Sequence, residues 1–129
     1  MALKRAFRLR SSSDFQRVRQ QGRSLSSRLL ILAWRPNDLT QPRMGFVISK
    51  RISKLAVRRN YLKRLLGEAI RPQLGSILPG YDVVLTARHT ALEADLPALA
   101  ADILVLLRRA RLLVPGEPKR LDSGPSGQG

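Results

Sequence analysis

The chain has no cysteine and one histidine. The missing thiols exclude a disulfide framework and any thiolate metal site, which suits a reducing compartment. The one imidazole, His89, follows a strand-like run, and a strand-end position is its plainest reading. Acids are scarce too. Asp14, Asp38, Glu68, Asp82, Glu93, Asp95 and Asp102 lie scattered, with no pairing for acid/base work and no grouping for a metal. Aromatics make up only 5% of the chain. Apolar runs such as Ile103 to Leu107 fall far short of the ~20 residues that a membrane-spanning helix needs. Lys4, Arg5, Arg8 and Arg10 break every apolar stretch near the N-terminus, so no signal-peptide core is present there. The expectation is a soluble, cytoplasmic protein without a hydrolytic centre or metal site of its own.

Base is what the chain has in excess. Its 24 Lys and Arg against 9 Asp and Glu leave a formal net charge of +15 on 129 residues. A field of that size finds a polyanion or repels itself. The 43% hydrophobic content suffices for one core, and the length fits one domain. We place that domain at residues 1–114. Residues 115–129, rich in Gly, Pro and Ser without apolar periodicity, read as a disordered tail.

Ser13 and Gln16 have capping-box spacing, and Phe15 with Val18 form the first apolar pair of a short helix that Gly22 ends. Leu29 to Trp34 reads as a buried strand running into the turn Pro36-Asn37-Asp38. Met44 to Ser49 is a second strand, and Tyr81 to Ala87, after the turn Pro79-Gly80, is a third. A final helix begins at an Asp95 cap, keeps Leu99, Ile103, Leu106 and Ala110 at helical spacing, and stops at Pro115.

Nine Lys or Arg residues lie between Arg43 and Arg71 against a single acid, Glu68. Val57 to Arg71 reads as a helix that Pro72 stops. At about 100° per residue, Arg59, Lys63, Gly67, Asn60, Arg71 and Arg64 share an arc of roughly 140°. Tyr61, Leu62, Leu65, Leu66 and Ala69 fill the opposite, core-facing side. Two residues break the pattern: Ile70 falls on the basic arc, and Arg58 falls among the apolar positions, at the helix start. Gly67 either lets a nucleic-acid backbone approach or simply weakens the helix. Glu68 is expected to pair with Arg64 one turn earlier. Lys50, Arg51 and Lys54 extend the charge into the preceding loop, and a one-signed surface of this extent points to nucleic acid. Arginine forks fit phosphate oxygens, Lys63 is a mobile point charge, and Asn60 can donate and accept at a base edge or a 2′-hydroxyl.

Arg59-Asn60-Tyr61-Leu62-Lys63-Arg64 resembles the Arg-Asn-x-x-Lys-Arg signature of the bacterial ribonuclease P protein subunit. Arg43 to Arg51 resembles that family's glycine-containing strand, Ala56-Val57 the lead-in to its signature, and Tyr81 to Arg88 its third central strand. Asp14-Phe15 matches the aspartate-phenylalanine pair of its N-terminal segment. The similarity spans roughly residues 3 to 113. Three departures stand out: Gly67-Glu68 replaces a frequent Arg-Glu, Ser53-Lys54-Leu55 lacks the usual loop glycine, and Arg19 stands near a usual second aromatic.

The resemblance implies an α/β fold, a two-layer α-β sandwich with a left-handed β-α-β crossover, against the common handedness. It also implies that a catalytic RNA subunit, with Mg²⁺, cleaves precursor tRNA to a mature 5′ end while the protein binds that RNA and the 5′ leader. On this footing Lys50, Arg51, Lys54, Arg58, Arg59, Asn60, Lys63, Arg64 and Arg71 would contact RNA. Phe15, Ser49 and Lys50 would line a leader cleft between the first helix and the sheet, although Phe15 equally suits core filling. Composition alone would also permit a non-catalytic ribosomal or ribosome-assembly RNA-binding protein. A membrane-surface role is disfavoured, because the apolar side of the basic helix is needed by the core.

Overall fold

The computed structural model describes residues 8, 9 and 11–114; the expected tail lies outside them. The described elements are α1 (Ser12–Gln21), β1 (Arg23–Ser26), β2 (Leu30–Pro36), β3 (Arg43–Val47), α2 (Ala56–Ile70), β4 (Tyr81–Ala87) and α3 (Leu96–Ala110), with short 3-10 turns at Arg71–Ser76 and His89–Glu93. One sheet carries them in the order β1-β2-β4-β3. β2 runs antiparallel to β1 and to β4, whereas β3 and β4 pair in parallel. Parallel neighbours need a long crossover, and α2 supplies it.

Alternation along the strands divides the sheet into two faces. Leu30, Leu32, Trp34, Met44, Val83 and Leu85 point to one face, where they pack with Leu62, Leu66 and Ile70 of α2 and Leu99, Ile103, Leu106 and Leu107 of α3. This is the main layer of the expected sandwich. Ala33 and Val84 point the other way and meet Leu9, Phe15 and Val18, so α1 covers part of the second face. No helix among the described residues is long and apolar enough to cross a membrane.

Several local expectations change. α1 is capped by Ser11, whose hydroxyl accepts the Asp14 N–H at 3.1 Å, not by Ser13; the helix starts earlier because three consecutive serines offer competing caps. Its end at Gly22 is a matter of close approach: a Cβ there would lie 2.4 Å from the carbonyl oxygens of both Trp34 and Val18. A fourth strand, β1, was not expected. It is a short edge strand whose Leu25 packs toward the core. Asp95 does cap α3, accepting the Ala98 N–H at 3.0 Å. That helix, however, ends at Ala110 with Arg111 left-handed at φ 58°, before any proline acts.

Candidate RNA-binding surface

The surface begins where β3 gives way to a turn. The Ser49 hydroxyl accepts the Arg51 N–H at 3.1 Å, and the Ser49 carbonyl accepts the Ile52 N–H at 3.1 Å. This local closure leaves Lys50 and Arg51 exposed. The Ser53 hydroxyl accepts the Leu55 N–H at 3.2 Å, and the chain then enters α2 without a side-chain cap. Arg59 reaches back from the first turn of α2 and donates from Nη1 to the Ser53 carbonyl at 2.9 Å. It is partly buried, unlike its neighbours Arg58 and Asn60. Of the expected phosphate ligands, Arg59 is therefore the one that fastens the cationic turn to the helix.

Burial increases along α2. Ala56, Val57, Arg58, Asn60, Tyr61, Lys63 and Arg64 are exposed, whereas Leu66, Gly67, Ala69 and Ile70 are buried. Two positions of the expected basic arc are thus corrected. Gly67 and Ile70 belong to the enclosed last turn, so Gly67 offers no approach to an RNA backbone. Tyr61 is corrected in the opposite direction, being 55% exposed instead of core-facing. A helix wheel treats every turn alike, and this helix is not enclosed alike along its length. Lys50, Arg51, Lys54, Asn60, Lys63 and Arg64 lie exposed on the turn and the first turns of the helix. Arg58 escapes the apolar side as expected and sits 3.6 Å from Glu93. Arg71 caps the far end of α2, exposed, and pairs with Glu68 at 3.2 Å. That pairing replaces the expected Glu68–Arg64 contact; Arg64 lies instead 5.9 Å from the centroid of the Tyr61 ring.

The candidate leader cleft lies on the α1 face of the sheet. Phe15 is half-buried against Leu9, Val18, Ala33, Val84 and Val47, and its ring sits directly on Gly45, where a Cβ would come within 2.3 Å of Cε1. Arg43 steadies the same helix from the sheet, its Nη1 lying 3.7 Å from Asp14. Ser49 follows just past the end of β3, roughly 13 Å along the chain from Gly45 at the strand rise per residue. Between them the sheet shows Ile31, 37% exposed, and the partly exposed Thr86. Beyond them a 400 Å³ cavity is lined by Ile31, Ser49, Arg51, Ile52, Ala87, Arg88, His89 and Thr90. Phe15 and Ser49 therefore mark opposite ends of one strip, with Lys50 exposed just past it.

Arg88 and His89 were not among the expected site residues. The signal that could have found them is the parallel pairing of Val47 with Thr86, which brings the chain leaving β4 beside the chain leaving β3. Arg88 is held there by donating from Nη1 to the Ser27 carbonyl at 2.6 Å.

A sequence profile described as Ribonuclease P matches residues 3–111. The chain belongs to the ribonuclease P protein family. It is 41% identical over 123 residues to a ribonuclease P protein component of Roseiflexus sp. (strain RS-1), covering 95% of this chain and 100% of that one. The corresponding protein of Chloroflexus aurantiacus (strain ATCC 29366 / DSM 635 / J-10-fl) is 43% identical over 112 residues, 86% of this chain and 82% of that one. The fold superposes on the RNase P protein of Staphylococcus aureus with a TM-score of 0.76 at 26% identity, covering 84% of this chain and 99% of that one. For the RNase P protein of Thermotoga maritima the TM-score is 0.72 at 31% identity, with 79% and 96% covered. The family signature Arg59 to Arg64 falls on the exposed first turns of α2. The departure at Gly67 falls in the buried last turn.

Proposed function

We propose that this chain binds the catalytic RNA of ribonuclease P through the turn after β3 and the first turns of α2, and holds the 5′ leader of precursor tRNA along the α1 face of the sheet. The observation that carries this reading is the Arg59 to Ser53 clamp, which makes one continuous cationic surface out of two segments. Lys50, Arg51 and Lys54 then share a rigid frame with Asn60, Lys63 and Arg64, so they can meet adjacent phosphates without first being ordered. Among the described residues no three His, Asp or Glu gather into a metal site, and the donors of this surface are cations that would repel an ion. Mg²⁺ would be held by RNA, where it would supply an activated water and a charge clamp at the phosphodiester. The protein's part is to neutralise phosphates, to orient the leader along the strip from Phe15 to Ser49, and so to favour the bound precursor over the mature product. Such a subunit works in the cytoplasm, beside the precursor it helps to process.

The test is reconstitution. Added to its cognate RNA subunit at low Mg²⁺, the protein should raise the rate of leader removal. The RNA-free protein should leave a labelled precursor intact. Cleavage at the 5′ end that tracks with the purified protein after all RNA is removed would overturn the division of labour.

A further inference from the structure

Three large apolar side chains stand in the open where α2 begins: Leu55 at 60% exposure, Val57 at 72% and Tyr61 at 55%. Scattered exposed apolar residues are ordinary, but Val57 and Tyr61 are i, i+4 neighbours on one helix face and form a continuous patch. The core does not need them, since Leu62, Leu66, Ala69 and Ile70 already serve the buried side. The surroundings are cationic: Arg58 is 3.6 Å from Glu93, but Lys54, Lys63 and Arg64 lie in the same stretch, and residues 54–67 contain no acid. A protein partner offering an apolar counterpart would leave those cations facing a surface without compensating charge. An RNA offers phosphates for the cations and base faces for the ring.

We propose that Tyr61 is a stacking platform for an unpaired base of the RNA subunit, with Val57 extending the apolar floor and Arg64 supplying the neighbouring phosphate contact. The inference rests on the reading that this face binds RNA. At 5.9 Å from the ring centroid, Arg64 is at the outer limit of a cation–π contact. It can therefore leave the ring for a phosphate while a base takes its place. Tyr61 lies between the exposed Asn60 and the buried Leu62 in sequence, so the same turn supplies an amide for the base edge and anchors the helix to the core.

Affinity for the cognate RNA subunit is measured across a salt series for the wild type, Tyr61→Leu, Tyr61→Phe and Lys63→Ala, beside their melting temperatures. A wild type that fails to bind would sink the RNA reading itself, separately from this inference. Stacking displaces no counterions, so Tyr61→Leu should lose affinity by about tenfold at every salt concentration, with the wild-type slope and melting temperature. Tyr61→Phe should bind like the wild type, and Lys63→Ala should flatten the slope. Wild-type affinity in Tyr61→Leu overturns the proposal. So does an equal loss in Tyr61→Phe, which would assign the hydroxyl instead. Sedimentation closes the remaining route: a dimer that Tyr61→Leu dissolves without changing RNA affinity overturns the proposal in favour of a second copy of the chain.

Discussion

Arg43 donates to both carboxylate oxygens of Asp82, from Nε to Oδ1 at 2.8 Å and from Nη2 to Oδ2 at 2.8 Å. The two residues are register partners across the parallel β3–β4 pairing, so the fork joins adjacent strands at the mouth of the crossover. Asp82, 6% exposed, is the buried charge among the described residues, and Asn37 Nδ2 gives it a further hydrogen bond at 2.8 Å. The hydrogen bond to Asp82 raises the pKa of the Arg43 guanidinium above its ordinary value. The arginine's contribution is accordingly present at neutral pH and, on the alkaline side, is lost only as pH rises through that raised value. Because the same guanidinium approaches Asp14, one side chain ties β3 to β4 and α1 to the sheet.

Arg43→Ala should cost more than Asp82→Asn. The first leaves a buried carboxylate with only the Asn37 amide, and breaking a pair in that way costs about 2–3 kcal/mol once the partial exposure of Arg43 is allowed for. The second leaves a neutral amide, while Arg43 can turn to Asp14 and water, for a cost of about 1 kcal/mol. Urea unfolding of both variants measures the order. Equal losses would show that the pair contributes little beyond packing.

Gly22→Ala should be severely destabilising, by roughly 3 kcal/mol or more, because its Cβ would collide with backbone on two elements and neither can yield without moving β2 or the last turn of α1. Gly75 is the control. A Cβ there meets nothing within 4 Å, so Gly75→Ala should stay within about 0.5 kcal/mol of the wild type. Comparable melting temperatures for the two variants would refute the close approach.

The strands and helices that bury a regular stripe were legible in the sequence because their periodicity is local. β1 was not, since a four-residue edge strand sends only Leu25 toward the core and otherwise reads as loop. The helix wheel separated Lys63 from Leu62 correctly but misplaced Tyr61, Gly67 and Ile70, because enclosure grows along α2 and an angular projection has no such axis. Ser49 was expected at the cleft, whereas Arg88 and His89 beside it were not. Their neighbourhood comes from pairing between strands 38 residues apart at their first residues, Arg43 and Tyr81, and no local pattern announces it.

Arg59 should behave unlike the other cations of its face. Lys63→Ala with Arg64→Ala removes two phosphate contacts and should lower the log–log salt slope by roughly 1.4 to 1.8, with unchanged stability, since both side chains are exposed. Arg59→Ala releases the Ser53 carbonyl and should loosen the turn. Trypsin should then cut faster after Lys50, Arg51 and Lys54 in Arg59→Ala and at the wild-type rate in the double variant. Identical cleavage rates in all three proteins would remove the clamp from the account.

Phe15 carries two roles that one set of variants can separate. Its ring fills the space that Gly45 leaves open, so Gly45→Ala should cost about 1–3 kcal/mol through overpacking. Phe15→Leu should cost about 1 kcal/mol through lost contact, and the two together should cost less than their sum, because the smaller side chain makes room for the methyl group. A coupling of at least about 0.5 kcal/mol is expected. Stacking on the leader makes a different demand, worth about 1–3 kcal/mol per base, which a leucine cannot meet however well it packs. Phe15→Leu/Gly45→Ala should therefore lose less stability than the two single changes added together, without recovering the preference for leader-bearing precursor over mature tRNA. If the double variant keeps that preference, Phe15 is only a packing residue, and the leader must be held farther along the strip, toward Ser49 and Lys50.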